Sequence, residues 1–216
     1  MKKLAILLLF ISSLGYSQES NLGNWLMYIG NKKIGSKWNI HNEVQYRNYN
    51  GIGDLEQLLL RTGVGYNLSP NNNNILIGYG FIRSENYDEF GEKSANNEHR
   101  IFQQFVTKQS FGRVSWQHRY RIEERFLESG FKMRFRYFLS GNIALNKPKL
   151  GNKTFYLSAY NEIFVNNKET FFDRNRIYGG VGYIVNKNIK IELGYMNQIF
   201  NRGSRDQLNV IGFINF

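Results

Sequence analysis

Cysteine is absent from the sequence, and there are only two prolines and three histidines. Without cysteine there can be neither a disulfide framework nor the acylation site of a lipoprotein. Both prolines, Pro70 and Pro148, fall in short polar segments that we interpret as turns. After the first 17 residues no apolar run approaches the ~20 residues that a membrane helix needs, which excludes a helical membrane protein.

The three histidines give little support for chemistry. His41, His99 and His118 lie in different segments without metal-ligand spacing, so we predict no metal site, no cofactor and no catalytic residue. None is followed by serine at the second position, which is the His-x-Ser pattern of phospholipase barrels. A Ser–His pair can still assemble across strands, so an outer-membrane lipid-modifying enzyme stays the alternative to a non-enzymatic protein.

The N-terminus has the features of a secretory signal peptide. Two lysines precede an apolar core from Leu4 to Ile11, and the small residues Gly15 and Ser17 suit a signal peptidase. We predict a signal peptide over residues 1–17 and a single domain over residues 18–216. Because the signal carries two lysines and no acid, its removal lowers the net charge from +11 to +9. Export, together with arginines placed in strands, argues against a nucleic-acid partner.

Beyond the signal, apolar and polar residues alternate in segments separated by turns. In VSWQHRYRIEERF, residues 114–126, one face carries Val114, Trp116, His118, Tyr120 and Ile122, while the other face is densely charged. Such alternation is typical of β-strands between two different environments. Several strands reach ten or more residues and have aromatic residues near their ends, as in barrels that cross a bilayer at a tilt.

These features predict an all-β fold, namely an antiparallel up-and-down transmembrane β-barrel of ten to twelve strands in the cell outer membrane. The alternating C-terminal segment DQLNVIGFINF, which ends on Phe216, is typical of such barrels. We count eleven strands if residues 24–34 are included, although bacterial single-chain barrels normally have an even number. Residues 24–34 are therefore either an incomplete strand or a sign that another strand is merged or missed. The rival fold is a soluble sandwich or lipocalin-like barrel with its aromatic faces inward.

In a membrane barrel the charged faces would meet in the lumen. The hairpin around LESG can place Glu123 opposite Arg134, and Glu162 on the next strand lies within reach of Arg136. Because buried charges need partners, we predict that these residues form a network that fills the lumen. Its members are Arg119, Arg121, Glu123, Arg125, Arg134, Arg136 and Glu162, with Glu43 opposite Arg61 in a second hairpin.

The lumen also decides between the possible functions. A barrel of this size is largely filled by side chains or holds at most one small ligand. We favour a structural or accessory barrel whose partner is outer-membrane lipid. The arginines outnumber the nearby glutamates. The alternative is therefore a narrow channel that favours anions, or a barrel that holds a small anion in its lumen. The sequence identifies no protein partner.

Six segments together resemble an uncharacterised family of outer-membrane barrels, the domain-of-unknown-function family 2490. They are WNIHNEVQYR, NEHRIFQQF, HRYRIEERF, RFRYFLSGNIAL, FYLSAYNEIF and DRNRIYGGVGY. The resemblance covers essentially the whole chain after the signal peptide. It implies the barrel fold and the outer-membrane location. The family has no established activity, so the resemblance assigns no role to any residue.

Overall fold

The computed structural model describes residues 22–70, 72–167 and 170–216, and the predicted signal peptide lies outside them. In this part of the chain eleven strands close into one barrel. They are β1 (Leu22–Ile34), β2 (Trp38–Asn48), β3 (Leu55–Asn67), β4 (Asn73–Tyr87), β5 (Lys93–Phe111), β6 (Val114–Leu127), β7 (Gly130–Ala144), β8 (Thr154–Asn166), β9 (Phe172–Ile184), β10 (Ile189–Ile199) and β11 (Ser204–Asn215). The described residues include no helix long and apolar enough to cross a membrane.

The closed all-β barrel confirms the predicted fold class, and eleven strands lie within the predicted range. Residues 24–34 belong to a complete strand, β1. The prediction of a purely antiparallel barrel is wrong at one place, because β1 and β11 pair in parallel from Leu22 opposite Asp206 to Asn31 opposite Asn215. With an odd number of alternating strands the first and last run in the same direction, so closure requires one parallel pair.

The pleat of each strand separates apolar side chains, which face outward, from charged side chains, which face the lumen. On β6, Trp116 and Tyr120 are 42% and 51% exposed on the outside, whereas Arg121 and Glu123 are 3% and 0% exposed on the inside. Successive side chains of a strand point to opposite faces, so the alternation of the sequence becomes an apolar outer wall and a polar lumen. On β5, where glutamine occurs on both faces, Phe102 is one of the buried residues that face inward.

The barrel has two distinct rims. We call the rim made by the connections after even-numbered strands the upper rim, and the rim made by those after odd-numbered strands the lower rim. The tightest lower-rim connection is the two-residue turn 112–113, where Gly112 has φ +54°. Such turns require a positive φ, which glycine adopts without a steric penalty. Strand β1 begins at the upper rim and β11 ends at the lower rim.

Glycines on the inner face make room for large aromatic rings. A Cβ at Gly182 would collide with the ring of Tyr156, and one at Gly194 would collide with the ring of Tyr178. Both tyrosines are almost completely buried. The two rings therefore pack against the inner wall of β9 and β10 and fill part of the lumen.

Candidate functional site in the lumen

Glu123 on β6 is the centre of the polar lumen. Its side chain is completely buried, and five arginines, four from three other strands and one from its own strand, lie within ion-pair distance. The shortest nitrogen–oxygen distances to its carboxylate are 2.5 Å from Arg136, 2.6 Å from Arg134, 3.7 Å from Arg121, 3.9 Å from Arg61 and 4.0 Å from Arg100. One buried carboxylate thus faces five guanidinium groups that are themselves buried.

Glu162 on β8 is a second centre beside the first. Arg136 donates to it at 2.6 Å and Arg119 at 2.7 Å, and Arg176 lies 3.6 Å away. Arg136 therefore joins both glutamates through its planar fork of donors, a geometry that a lysine cannot provide. The two centres form one connected group of charges across β6, β7, β8 and β9.

All nine residues predicted for the lumen lie in this connected set of contacts. Arg61 donates to Glu43 at 3.0 Å and so extends the set to β2 and β3. Arg125 joins the set through a residue that the sequence analysis did not name. It contacts Glu98 on β5 at 2.6 Å, and Glu98 in turn contacts Arg100 at 2.5 Å. Arg125 is thus linked to Glu123 through Glu98 and Arg100.

Sequence reasoning missed several members of the lumen. Glu98, Arg100, Asp173 and Arg176 are inward, charged and paired, and Asp173 holds Arg134 at 2.8 Å. The alternation of NEHRIF and of Arg174 and Arg176 in DRNRIY carries the signal for the arginines and Glu98, whereas Asp173 lies where the register shifts and breaks the alternation. What a single strand does not reveal is a contact that crosses an intervening strand, such as that of Arg119 on β6 with Glu162 on β8.

Two buried aromatic rings also hold arginines. The guanidinium carbons of four arginines lie 4.4–5.9 Å from the ring centre of Phe164, namely Arg136, Arg176, Arg134 and Arg174. The ring of Trp25 carries Arg47 at 3.7 Å and Arg176 at 4.8 Å. The negative face of an aromatic ring attracts a cation, most strongly away from water. These contacts stabilise arginines that acids alone do not neutralise.

A cavity of about 540 Å³ lies above this network and opens toward the upper rim. Its lining, which we call the arginine cup, is Arg47, Gln57, Arg61, Ser84, Asn86, Asn96, Asn97, Glu98, Arg100, Arg125, Leu127, Glu128, Ser129, Arg134, Arg136, Phe164, Arg174 and Arg176. The pairing register shifts beside two of these residues, at Arg47/Asn48 and at Phe164/Val165. Such irregularities re-aim side chains and are common next to functional sites.

The histidines do not converge on a site. The His41 ring is 3.4 Å from Glu43 in the lumen, whereas His99 and His118 face outward and contact the hydroxyls of Tyr79 and Tyr137. Among the described residues no three acidic or histidine side chains are grouped so that they could hold a metal ion. The chemistry that the lumen offers is therefore the recognition of charge by arginine.

Comparison with known proteins places the chain in a family. The profile of the family described as protein of unknown function, DUF2490, matches residues 22–209. The chain belongs to the DUF2490 family. It is also similar to an uncharacterized protein of Methylorubrum extorquens, with 30% identity over 166 residues that cover 72% of this chain and 69% of that protein. No solved structure matches the chain.

Membership of DUF2490 confirms the family resemblance found in the sequence. It supplies no activity for any residue, because the family is described only as having unknown function. The matched range contains β1 to β10 and part of β11, and hence the whole of the lumen network. The outer-membrane location that the resemblance implied remains a prediction.

Proposed function

We propose that this DUF2490 protein is an outer-membrane barrel with a structural or accessory role, whose lumen is closed by its own Arg/Glu network. The observation that carries the proposal is that the apolar side chains lie on the outside of the barrel and the charged side chains lie inside. Among the described residues, 36 large apolar or aromatic side chains are exposed and 12 hydrophobic ones are buried. Soluble monomers rarely expose apolar patches larger than a few hundred Å², whereas a lipid-facing barrel requires an apolar outer wall.

The lumen supports closure rather than conduction. The arginine cup reaches down to Arg61, Arg136 and Phe164 and is lined by no described residue of the lower half. Nearer the lower rim, the inward side chains of Leu76, Tyr156 and Ile211 are at most 5% exposed. A barrel of about this strand number is narrow enough for side chains to fill.

The polar contacts support a non-enzymatic role. The three histidines contact Glu43, Tyr79 and Tyr137, and none of these partners is a serine or threonine nucleophile. The buried glutamates are held by arginines, which favour the ionised form and leave no proton to donate. Neither centre therefore provides the nucleophile and general base that lipid hydrolysis needs.

Location is tested by expression with the native N-terminus in a Gram-negative host and separation of the two membranes on a density gradient. We expect the protein in the outer-membrane fraction, resistant to an alkaline wash and shifted on an SDS gel only after boiling. Release into buffer without detergent would contradict the membrane location. Incubation with phospholipid and lipid A, followed by assay for released acyl chains, tests the absence of enzymatic activity.

Closure is tested by conductance in planar bilayers. We expect no steady current from the wild-type barrel and leakage from Glu123→Gln, because that change removes the carboxylate shared by five arginines. A steady anion-selective current from the wild type would favour the second candidate function, a narrow anion channel. The excess of arginine over acid in the lumen is the observation that keeps this candidate open.

A further inference from the structure

The arginine cup carries more positive charge than its surroundings neutralise. Eight arginines line it, and Glu98 and the exposed Glu128 are its only acids among the described residues. Five described acids lie within 4.0 Å of these arginines, namely Glu43, Glu98, Glu123, Glu162 and Asp173. Two of the five are also shared with arginines below the cup, since Glu123 contacts Arg121 and Glu162 contacts Arg119.

Arg47 shows this excess most clearly. Its side chain is buried, donates to the amide oxygens of Gln45 and Gln57, and lies over the ring of Trp25. No described acid lies within 4.0 Å of it. Arg176 contacts the same ring, and its nearest carboxylate, that of Glu162, is 3.6 Å away. A buried cation without a counter-charge is unfavourable, so the site is suited to an anion that enters from outside the protein.

We propose that the arginine cup binds a small soluble anion that carries a phosphate group and enters through the upper rim. A guanidinium fork matches two oxygens of a phosphate. Arg47, Arg100 and Arg176 come from β2, β5 and β9, on different sides of the barrel. A tetrahedral phosphate presents oxygens in several directions at once, whereas a carboxylate presents two in one plane. The volume of about 540 Å³ is in the range of small-ligand sites.

The proposal goes beyond the structural role. It rests on the proposed function in one respect, namely that the lumen is closed below the cup. A barrel that merely closes its own lumen is expected to pair its buried arginines with acids, because an unpaired buried charge is costly. Here the acids are gathered at Glu123 and Glu162 under the cup, while the cup itself keeps the uncompensated arginines. This division of charge is what a closed barrel with a binding site at one end requires.

The test is calorimetric titration of the purified full-length barrel in uncharged detergent with sodium pyrophosphate as the probe, in a buffer without phosphate. We expect saturable binding of about one ion per barrel by the wild type, weakened at least tenfold by Arg47→Met. The matched control is Arg113→Met, which removes an exposed arginine in the lower-rim turn between β5 and β6, outside the cup. It should bind pyrophosphate as the wild type does.

Folding of each variant is checked by its shift on an SDS gel with and without boiling. If Arg47→Met does not fold, Arg47→Lys replaces it, because lysine keeps the charge and loses the fork, and we expect weaker binding by several-fold. Absence of saturable binding to the folded wild type overturns the proposal. So does an unchanged affinity in both Arg47 variants, or an equal loss in Arg113→Met.

A second pair of titrations separates a soluble ion from a lipid headgroup, which can carry the same phosphate chemistry. Pyrophosphate is titrated in micelles that contain either phosphatidic acid or phosphatidylcholine. Equal affinity in both supports a soluble ligand, whereas competition by phosphatidic acid overturns the soluble source and assigns the cup to a headgroup. Bilayer conductance remains independent, since a conducting barrel that binds pyrophosphate would contradict closure and leave the cup intact.

Discussion

Glu123 and Arg134 lie directly opposite one another on β6 and β7, and the guanidinium donates twice to the same carboxylate oxygen, at 3.0 Å and 2.6 Å. Replacing Glu123 by Gln removes the negative charge that five arginines share. Because the arginines around it then lose their shared acid in a dry lumen, we expect the free energy of unfolding to fall by about 3–5 kcal/mol. Denaturant unfolding in detergent, followed by tryptophan fluorescence, measures it.

The control for this change is Glu128→Gln, at an exposed position on the upper rim. Substitutions at exposed positions usually change stability by no more than about 0.5 kcal/mol. If water fills the lumen instead, the charges are screened and Glu123→Gln should approach the control. Equal stability of the two variants would therefore contradict a dry, closed lumen.

Phe164 should matter for stability as an aromatic ring and not only as an apolar side chain. In Phe164→Leu the arginines keep an apolar neighbour but lose the negative ring face that four of them contact. We expect a loss on the order of 2 kcal/mol. The control is Phe155→Leu on the same strand, whose side chain is on the outer face and 49% exposed. An equal loss in both variants would show that the arginine–ring contacts contribute little.

The inner glycines give a paired test of the lumen packing. Gly182→Ala places a Cβ against the buried ring of Tyr156, whose hydroxyl donates to Glu192 at 2.7 Å. The ring must move and this bond must weaken, so we expect destabilisation by about 1–3 kcal/mol. Gly179→Ala, on the same strand with open space around its Cβ, should be neutral. Destabilisation by Gly179→Ala of the same size would contradict the assignment of inner and outer faces on β9.

An upper-rim contact should respond to pH. Asp54, in the connection between β2 and β3, accepts from Lys93 at 2.7 Å and from the hydroxyl of Tyr87 at 2.9 Å. Burial alone would raise the pKa of Asp54, but the hydrogen bonds from Lys93 and Tyr87 outweigh it and hold this pKa below its ordinary value of 3.8. The contact is therefore fully present above that value and is lost as the pH falls through the lowered pKa.

Hydrogen exchange at the amide of Tyr49, which donates to the carbonyl of Asp54 at 2.9 Å, reports on this contact. Its protection factor should fall when the pH is lowered below about 3.8 and should already be reduced at neutral pH in Asp54→Asn. The variant should also lose the acid-dependent change. A wild-type protection factor that stays constant from neutral pH to pH ~2 would argue against the contact.

Strand positions and faces followed from the sequence because the side-chain period of a strand is two. For the same reason the hairpin of β6 and β7 placed Glu123 opposite Arg134, as the structure has it. The contacts of Arg125 did not follow, since its partner Glu98 comes from a strand with glutamine on both faces. The inward position of Trp25 was missed too, because β1 begins with a short mixed segment and its neighbour β11 is the most distant strand in sequence.

The parallel seam between β1 and β11 sets a limit on re-engineering this chain. In an even-stranded barrel the first and last strands meet at the same rim, and a short peptide can join them in a circular permutant. Here Leu22 lies at the upper rim and Phe216 at the lower rim, and the 13 residues of β1 span about 43 Å at ~3.3 Å per residue. A joining peptide would need about a dozen residues. It would have to cross either the filled lumen or the apolar outer wall, so the odd strand number fixes the order of the strands along the chain.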